Sequence, residues 1–128
     1  MAHQGRGKSF EAIALATILL VCLALHLNTV QATDFIVGDA NGWGFNVQSW
    51  SNGKNFKVGD NLVFKYNPQA HNVVKVDANG YQSCSAAPGS PTYTSGNDKI
   101  ALSKGPNYFI CTVPGHCSMG MKVQAIAS

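Results

Sequence analysis

Beyond residue 33 no stretch of ten or more residues carries a helical stripe of apolar side chains. The apolar residues come in short runs broken by glycine, asparagine, aspartate, proline and serine. Within the runs the spacing is two. Leu62, Phe64 and Tyr66 share one face of an extended segment, as do Val74 and Val76, then Phe109 and Cys111, then Met121, Val123, Ala125 and Ala127. The full chain has thirteen glycines and five prolines, and all but Gly5 and Gly7 lie beyond residue 33, where they supply turns, as at Asp39–Gly44 and Gly59–Asp60. About seven or eight short strands follow, which suits an all-β sandwich or barrel with little helix. One short helix is expected between about Gln82 and Pro91, limited by Pro88 and Gly89.

The first 32 residues read differently. Arg6 and Lys8 precede an almost wholly apolar run, Ala12–Leu27, and Val30–Ala32 ends in a small residue. This is the pattern of a cleaved secretory signal, with the cut after Ala32. The run is shorter than the roughly 20 residues that span a bilayer. The expected organisation is therefore a leader, 1–32, and one domain, 33–128. That domain is small, near the size where burial alone gives thin stability. It holds seven lysines against five aspartates, a net charge of +2. So weak a charge, with no aromatic-basic patch, excludes nucleic acid as a partner.

Cysteine count is more informative. Cys22 lies in the leader, so the domain keeps Cys84, Cys111 and Cys117. In an oxidising compartment one disulfide leaves one thiol, and that thiol needs a burial site or a metal. Two of the three lie in "ICTVPGHCSMGMKV", Ile110–Val123, with His116, Met119 and Met121. The only other histidine of the domain is His71.

Zinc is a poor fit, because structural sites use closer cysteine spacing and adjacent His116 and Cys117 would have to face one ion. A thiol–disulfide redox site would need C-x-x-C, which is absent. A Cys111 nucleophile with a histidine base leaves the neighbouring methionine without a task. A plain disulfide-bonded core accounts for each residue singly. Two imidazoles, a thiolate and a weaker thioether together form the blue-copper set: soft sulfur suits Cu(I), and imidazole suits both oxidation states. Cys111 ends a strand, His116 follows the Pro114-Gly115 turn, Met121 opens the last strand, and His71 begins another. Met121 shares a face with Val123 and Ala125, so it is the inward thioether, and Met119 stays on the rim. A copper-bound Cys111 leaves Cys84 and Cys117 to pair; Cys84–Cys111 with a free Cys117 is the competing connectivity.

Residues 33–128 also resemble a known family. "FIVGDANGWGFN", "FKVGD", "FKY", "HNVV", "YTSG" and "YFICTVPGHCSMGMK" together are similar to the phytocyanins, and within them to the plantacyanin branch. The resemblance implies a cupredoxin-like Greek-key sandwich with one type 1 copper per chain. It implies His71, Cys111, His116 and Met121 as metal ligands and Cys84–Cys117 as the disulfide. It also implies His116 as the more exposed imidazole, the Asn72 backbone amide directed toward the thiolate, and a ligand loop shaped by Pro114 and Gly115. Methionine at 121, in place of glutamine, separates the chain from the stellacyanin branch.

The function implied is single-electron transfer through Cu(I)/Cu(II) by an extracellular protein of the plant apoplast or cell-wall matrix. It is not an enzyme. A redox partner, protein or small molecule, is expected but not identified, and the protein is expected to be a monomer. No apolar tail follows Ala127, so no membrane anchor is expected. The alternative function is a secreted cell-surface signalling or adhesion module in which copper redox is secondary.

Overall fold

The computed structural model describes residues 3–27 and 31–128. The chain divides into two units, Met1–Gln31 and Ala32–Ser128. The first unit contains helix α1, His3–Leu27. Its apolar side chains from Ile13 to Leu23 are exposed. Among the described residues no helix is long and apolar enough to cross a membrane.

The second unit is a seven-stranded Greek-key sandwich. Its strands are β1 (Asp34–Ile36), β2 (Asn61–Lys65), β3 (Val73–Val76), β4 (Thr92–Tyr93), β5 (Asn97–Ala101), β6 (Gly105–Ile110) and β7 (Lys122–Ala127). One sheet has the order β1-β2-β5 and the other β4-β3-β6-β7. Strand β1 runs parallel to β2, with Phe35 opposite Leu62, and the remaining pairs are antiparallel.

Period-two alternation explains which side chains meet between the sheets. In β7, Val123, Ala125 and Ala127 are buried while Ile126 is exposed. Leu62 and Phe64 of β2 join Val73, Phe109 and Val123 in one core that also holds Trp43, Phe56, Cys111 and Met121. Trp50 packs against its margin.

Strand β3 departs from simple alternation, for Val73 and Val74 are both buried. The outer face is covered by helix α2, Ala78–Ser83, where Val74, Ile110 and Cys117 form a second cluster with Val76, Tyr81 and Cys84 packed against it. The helix lies earlier than the expected Gln82–Pro91. Asp77 sets its start by accepting a hydrogen bond from the Gly80 N–H at 2.8 Å. Cys84 ends it in the left-handed conformation, φ 55°.

The start of the domain is fastened by Asp60, which is buried. Its carboxylate accepts the Thr33 N–H at 2.9 Å and the Lys57 N–H at 2.8 Å. These two bonds hold its pKa below the ordinary value of 3.8. A carboxylate whose folded pKa is depressed contributes stability above its unfolded pKa and loses it as pH falls through the folded one. Asp60→Asn is therefore expected to lower stability at neutral pH by roughly 1–2 kcal/mol. The difference from wild type should shrink below pH 4, as followed by urea unfolding across pH. An unchanged difference at all pH values would remove the carboxylate's charge from the account.

Candidate metal centre

Three segments meet at one end of the sandwich. His71 lies two residues before β3, at the close of a turn in which the N–H groups of Ala70 and His71 both donate to the Asn67 carbonyl at 3.1 Å. Cys111 directly follows β6, and its N–H donates to the Met121 carbonyl at 3.1 Å. That bond carries the β6–β7 ladder one step past its last paired residues, Ile110 and Lys122. The sulfur of Cys111 therefore keeps the inward direction set by Phe109 two residues earlier, and Cys111 has no exposed surface.

The loop between Cys111 and Met121 folds on itself. It reverses at Pro114-Gly115, where Gly115 has the left-handed φ of +83° and a Cβ would meet open space. The His116 N–H then donates to the Val113 carbonyl at 3.0 Å. The His116 carbonyl in turn accepts both the Met119 and the Met121 N–H at 3.1 Å. A 3₁₀ turn over Cys117–Met119 closes with the Gly120 N–H on the Cys117 carbonyl.

A second loop straps this one from outside. The Asn46 N–H donates to the Met119 carbonyl at 3.1 Å, and the Val47 N–H donates to the Gly120 carbonyl at 3.0 Å. Position 120 must be glycine for this approach: φ is +85°, and a Cβ there would lie 2.9 Å from the Asn46 Cα.

The result is a compact donor set. Nδ1 of His71 lies 3.1 Å from Nδ1 of His116, and the Cys111 Sγ lies 3.7 Å from the same His116 nitrogen. All three ligand atoms fall within 4.8 Å of one another. One ion can span such a set with metal–imidazole bonds of about 2 Å. The chemistry of the donors suits a soft, single-charge-changing metal: a buried thiol outside any disulfide and two half-buried imidazoles. Met121 is fully buried in the same core as Cys111, and its backbone bonds both to Cys111 and to His116. Met119, by contrast, is exposed.

Burial pushes the pKa of His71 below its usual 6.5, and the adjacent His116 pushes in the same direction. The lone pair of His71 thus stays available at pH values where an exposed histidine would be protonated.

Neighbouring residues brace the ligands. The Asn72 carboxamide donates to the Thr112 hydroxyl at 2.7 Å and accepts the Thr112 N–H at 2.8 Å, so the residues after His71 and Cys111 are cross-linked. The Asn72 carbonyl accepts the Trp43 indole N–H at 2.9 Å. Cys84 and Cys117 form a disulfide, with their Cα atoms 5.6 Å apart. It joins the end of α2 to the residue after His116.

Two groups near the site were given no functional part in the sequence reading. Phe45 lies edge-on to both imidazoles. Its only local sign is an aromatic side chain within a turn-rich run. Tyr66 donates to the buried Asp98 carboxylate, and burial followed by that bond raises its pKa to about 12, so it remains a neutral phenol. A contact between residues 32 positions apart leaves no local pattern.

The geometry has relatives. Residues 41–121 match the plastocyanin-like domain family. A chemocyanin from Lilium longiflorum is 49% identical over 125 residues, covering 98% of both chains. A basic blue protein from Arabidopsis thaliana is 48% identical over 126 residues, covering 97% of this chain and 98% of that one.

The chain belongs to the phytocyanins, of the plantacyanin type.

The phytocyanin fold extends to solved structures. The cucumber basic protein, a blue copper protein, matches with a TM-score of 0.74 at 49% identity, over 75% of this chain and all of that one.

Proposed function

We propose that this phytocyanin is an extracellular carrier of single electrons, built around one type 1 copper per chain and held by His71, Cys111, His116 and Met121. It works without substrate turnover. The observation that carries the reading is Cys111: a buried sulfur outside the disulfide, meeting both imidazoles of the domain within 4.8 Å.

Copper in this set supplies one-electron exchange between Cu(I) and Cu(II). The protein supplies the rest. Cys111 offers a thiolate for strong covalent coupling. His71 and His116 fix two nitrogen donors at a separation the fold imposes through the two turns that end at them. Met121 brings a thioether from the core side, a weak donor that helps set the potential. The apolar core behind these side chains keeps water from that side. The Asn72 backbone N–H would add a donor toward the thiolate, and Pro114 and Gly115 give the ligand loop its reversal. A site already shaped on several independent bonds needs little rearrangement when an electron moves.

The break between Gln31 and Ala32 supports residues 1–32 as a leader removed on secretion. The mature domain would then act in the plant apoplast or wall as a monomer, exchanging electrons with a protein or small-molecule partner.

The test is optical and electron-resonance spectroscopy on copper-loaded protein spanning residues 33–128. The expected result is an intense thiolate-to-copper band with narrow copper hyperfine splitting. Stoichiometric Cu(II) binding without that band would overturn the assignment.

A further inference from the structure

Phe45 closes the outer side of the metal centre. Its ring centroid lies 4.9 Å from that of His116 at an interplanar angle of 77°, and 5.9 Å from that of His71 at 82°. The two imidazoles are themselves 4.9 Å apart at 56°. Three rings thus form a triangle, and Phe45 is the one that binds nothing. A phenylalanine in a solvent-facing loop would ordinarily turn toward the core, yet Phe45 is 45% exposed while Trp43, two residues earlier, is buried. The backbone accounts for the difference. Asn46 adopts the left-handed conformation, φ 57°, which asparagine tolerates better than most residues. The chain turns there, and the bonds from Asn46 to Met119 and from Val47 to Gly120 fix the loop on the ligand loop itself. Phe45 is therefore held over the imidazoles by the same segment that carries His116.

We propose that Phe45 is a positioning residue for the two histidine ligands. Its ring keeps the imidazoles at their ligating separation before metal arrives and keeps water off their outer edges afterwards. The proposal rests on the copper reading of the site and deepens it. Edge-to-face packing restricts ring rotation of His71 and His116 without using either donor nitrogen. Water against the imidazoles favours the more highly charged Cu(II) state, so a ring that excludes it favours Cu(I).

The test compares wild type, Phe45→Leu and Phe45→Ala. In the metal-free domain, the NMR cross-peak between the His71 and His116 rings should fall by at least half in Phe45→Ala and by less in Phe45→Leu. In the copper-loaded domain, preference for Cu(II) over Cu(I) should rise about threefold in Phe45→Ala, a potential lower by about 28 mV at 59 mV per tenfold, with Phe45→Leu between. Melting of the metal-free protein should change by a few degrees at most, because nearly half of the ring is already exposed. Should Phe45→Ala not fold, Phe45→Leu retains the apolar bulk and carries both readings. Variants that match wild type in cross-peak and potential would overturn the role of Phe45 while leaving the copper site intact. A wild type lacking the thiolate-to-copper band would instead remove the copper reading on which it stands.

Discussion

Cys111→Ser is expected to fold and to lose the intense thiolate-to-copper band completely. A serine hydroxyl does not ionise near neutral pH, so the strong covalent donor disappears while the two imidazoles remain. Copper(II) affinity should fall by more than the about 10–100-fold that loss of a supporting contact typically costs. The fold should survive, because Cys111 forms no disulfide. Burying a hydroxyl in place of the thiol costs about 1–3 kcal/mol when no partner is found, and His116 Nδ1, 3.7 Å from the present sulfur, is near enough for partial compensation after a small shift. The measurement is an optical copper titration beside a thermal melt of the metal-free variant. Met121→Leu is the informative control: a nearly volume-conserving change at a fully buried position should leave the band in place and alter the potential. A serine variant that kept the wild-type band would show that another sulfur carries the chromophore.

Much of this side-chain cluster could be read before any fold was known, because its members lie where two local rules intersect. Alternation in β7 and at the end of β6 puts Met121 and Cys111 on the core side. Pro114 and Gly115 mark the reversal that returns His116 toward them. What alternation does not contain is the outer face of β3. Val74 and Val76 share one face, as alternation requires, but that face packs under α2 while Val73 faces the main core. The helix itself was hidden because "DANGYQ" contains asparagine and glycine, residues that read as a turn. The Asp77 cap and the packing of Tyr81 decide for helix. Phe45 was hidden for a different reason. Its place over the imidazoles depends on a left-handed Asn46 and on two backbone bonds to a loop more than seventy residues away. Buried Asp98 depends likewise on the hydroxyl of Tyr66 across the sheet. Period, capping and turn chemistry are local; these contacts are not.

Removing the disulfide should cost stability far more than it costs the site. Cys84→Ala with Cys117→Ala opens a link across 33 residues of sequence. Chain entropy gives a loss of about 3–4 kcal/mol for a loop of that length. In a domain of this size each kcal/mol moves the melting temperature by about 4–8 °C, so a fall of roughly 12–32 °C is expected. The double variant is the right one to make, since a single replacement frees a thiol that could pair with Cys111. The bond anchors the residue after His116, and on that ground alone the ligand loop would be expected to collapse without it. Other restraints argue otherwise. The His116 carbonyl still accepts two N–H groups, Asn46 and Val47 still hold Met119 and Gly120, and Asn72 still joins Thr112. At temperatures well below its melt, the copper-loaded double variant should therefore keep the blue band while its metal-free form unfolds early. A melt within about 5 °C of wild type would mean that the unfolded chain gains little freedom from the break. Loss of the band with the fold intact would mean that the disulfide, rather than the hydrogen-bonded loop, sets the position of His116.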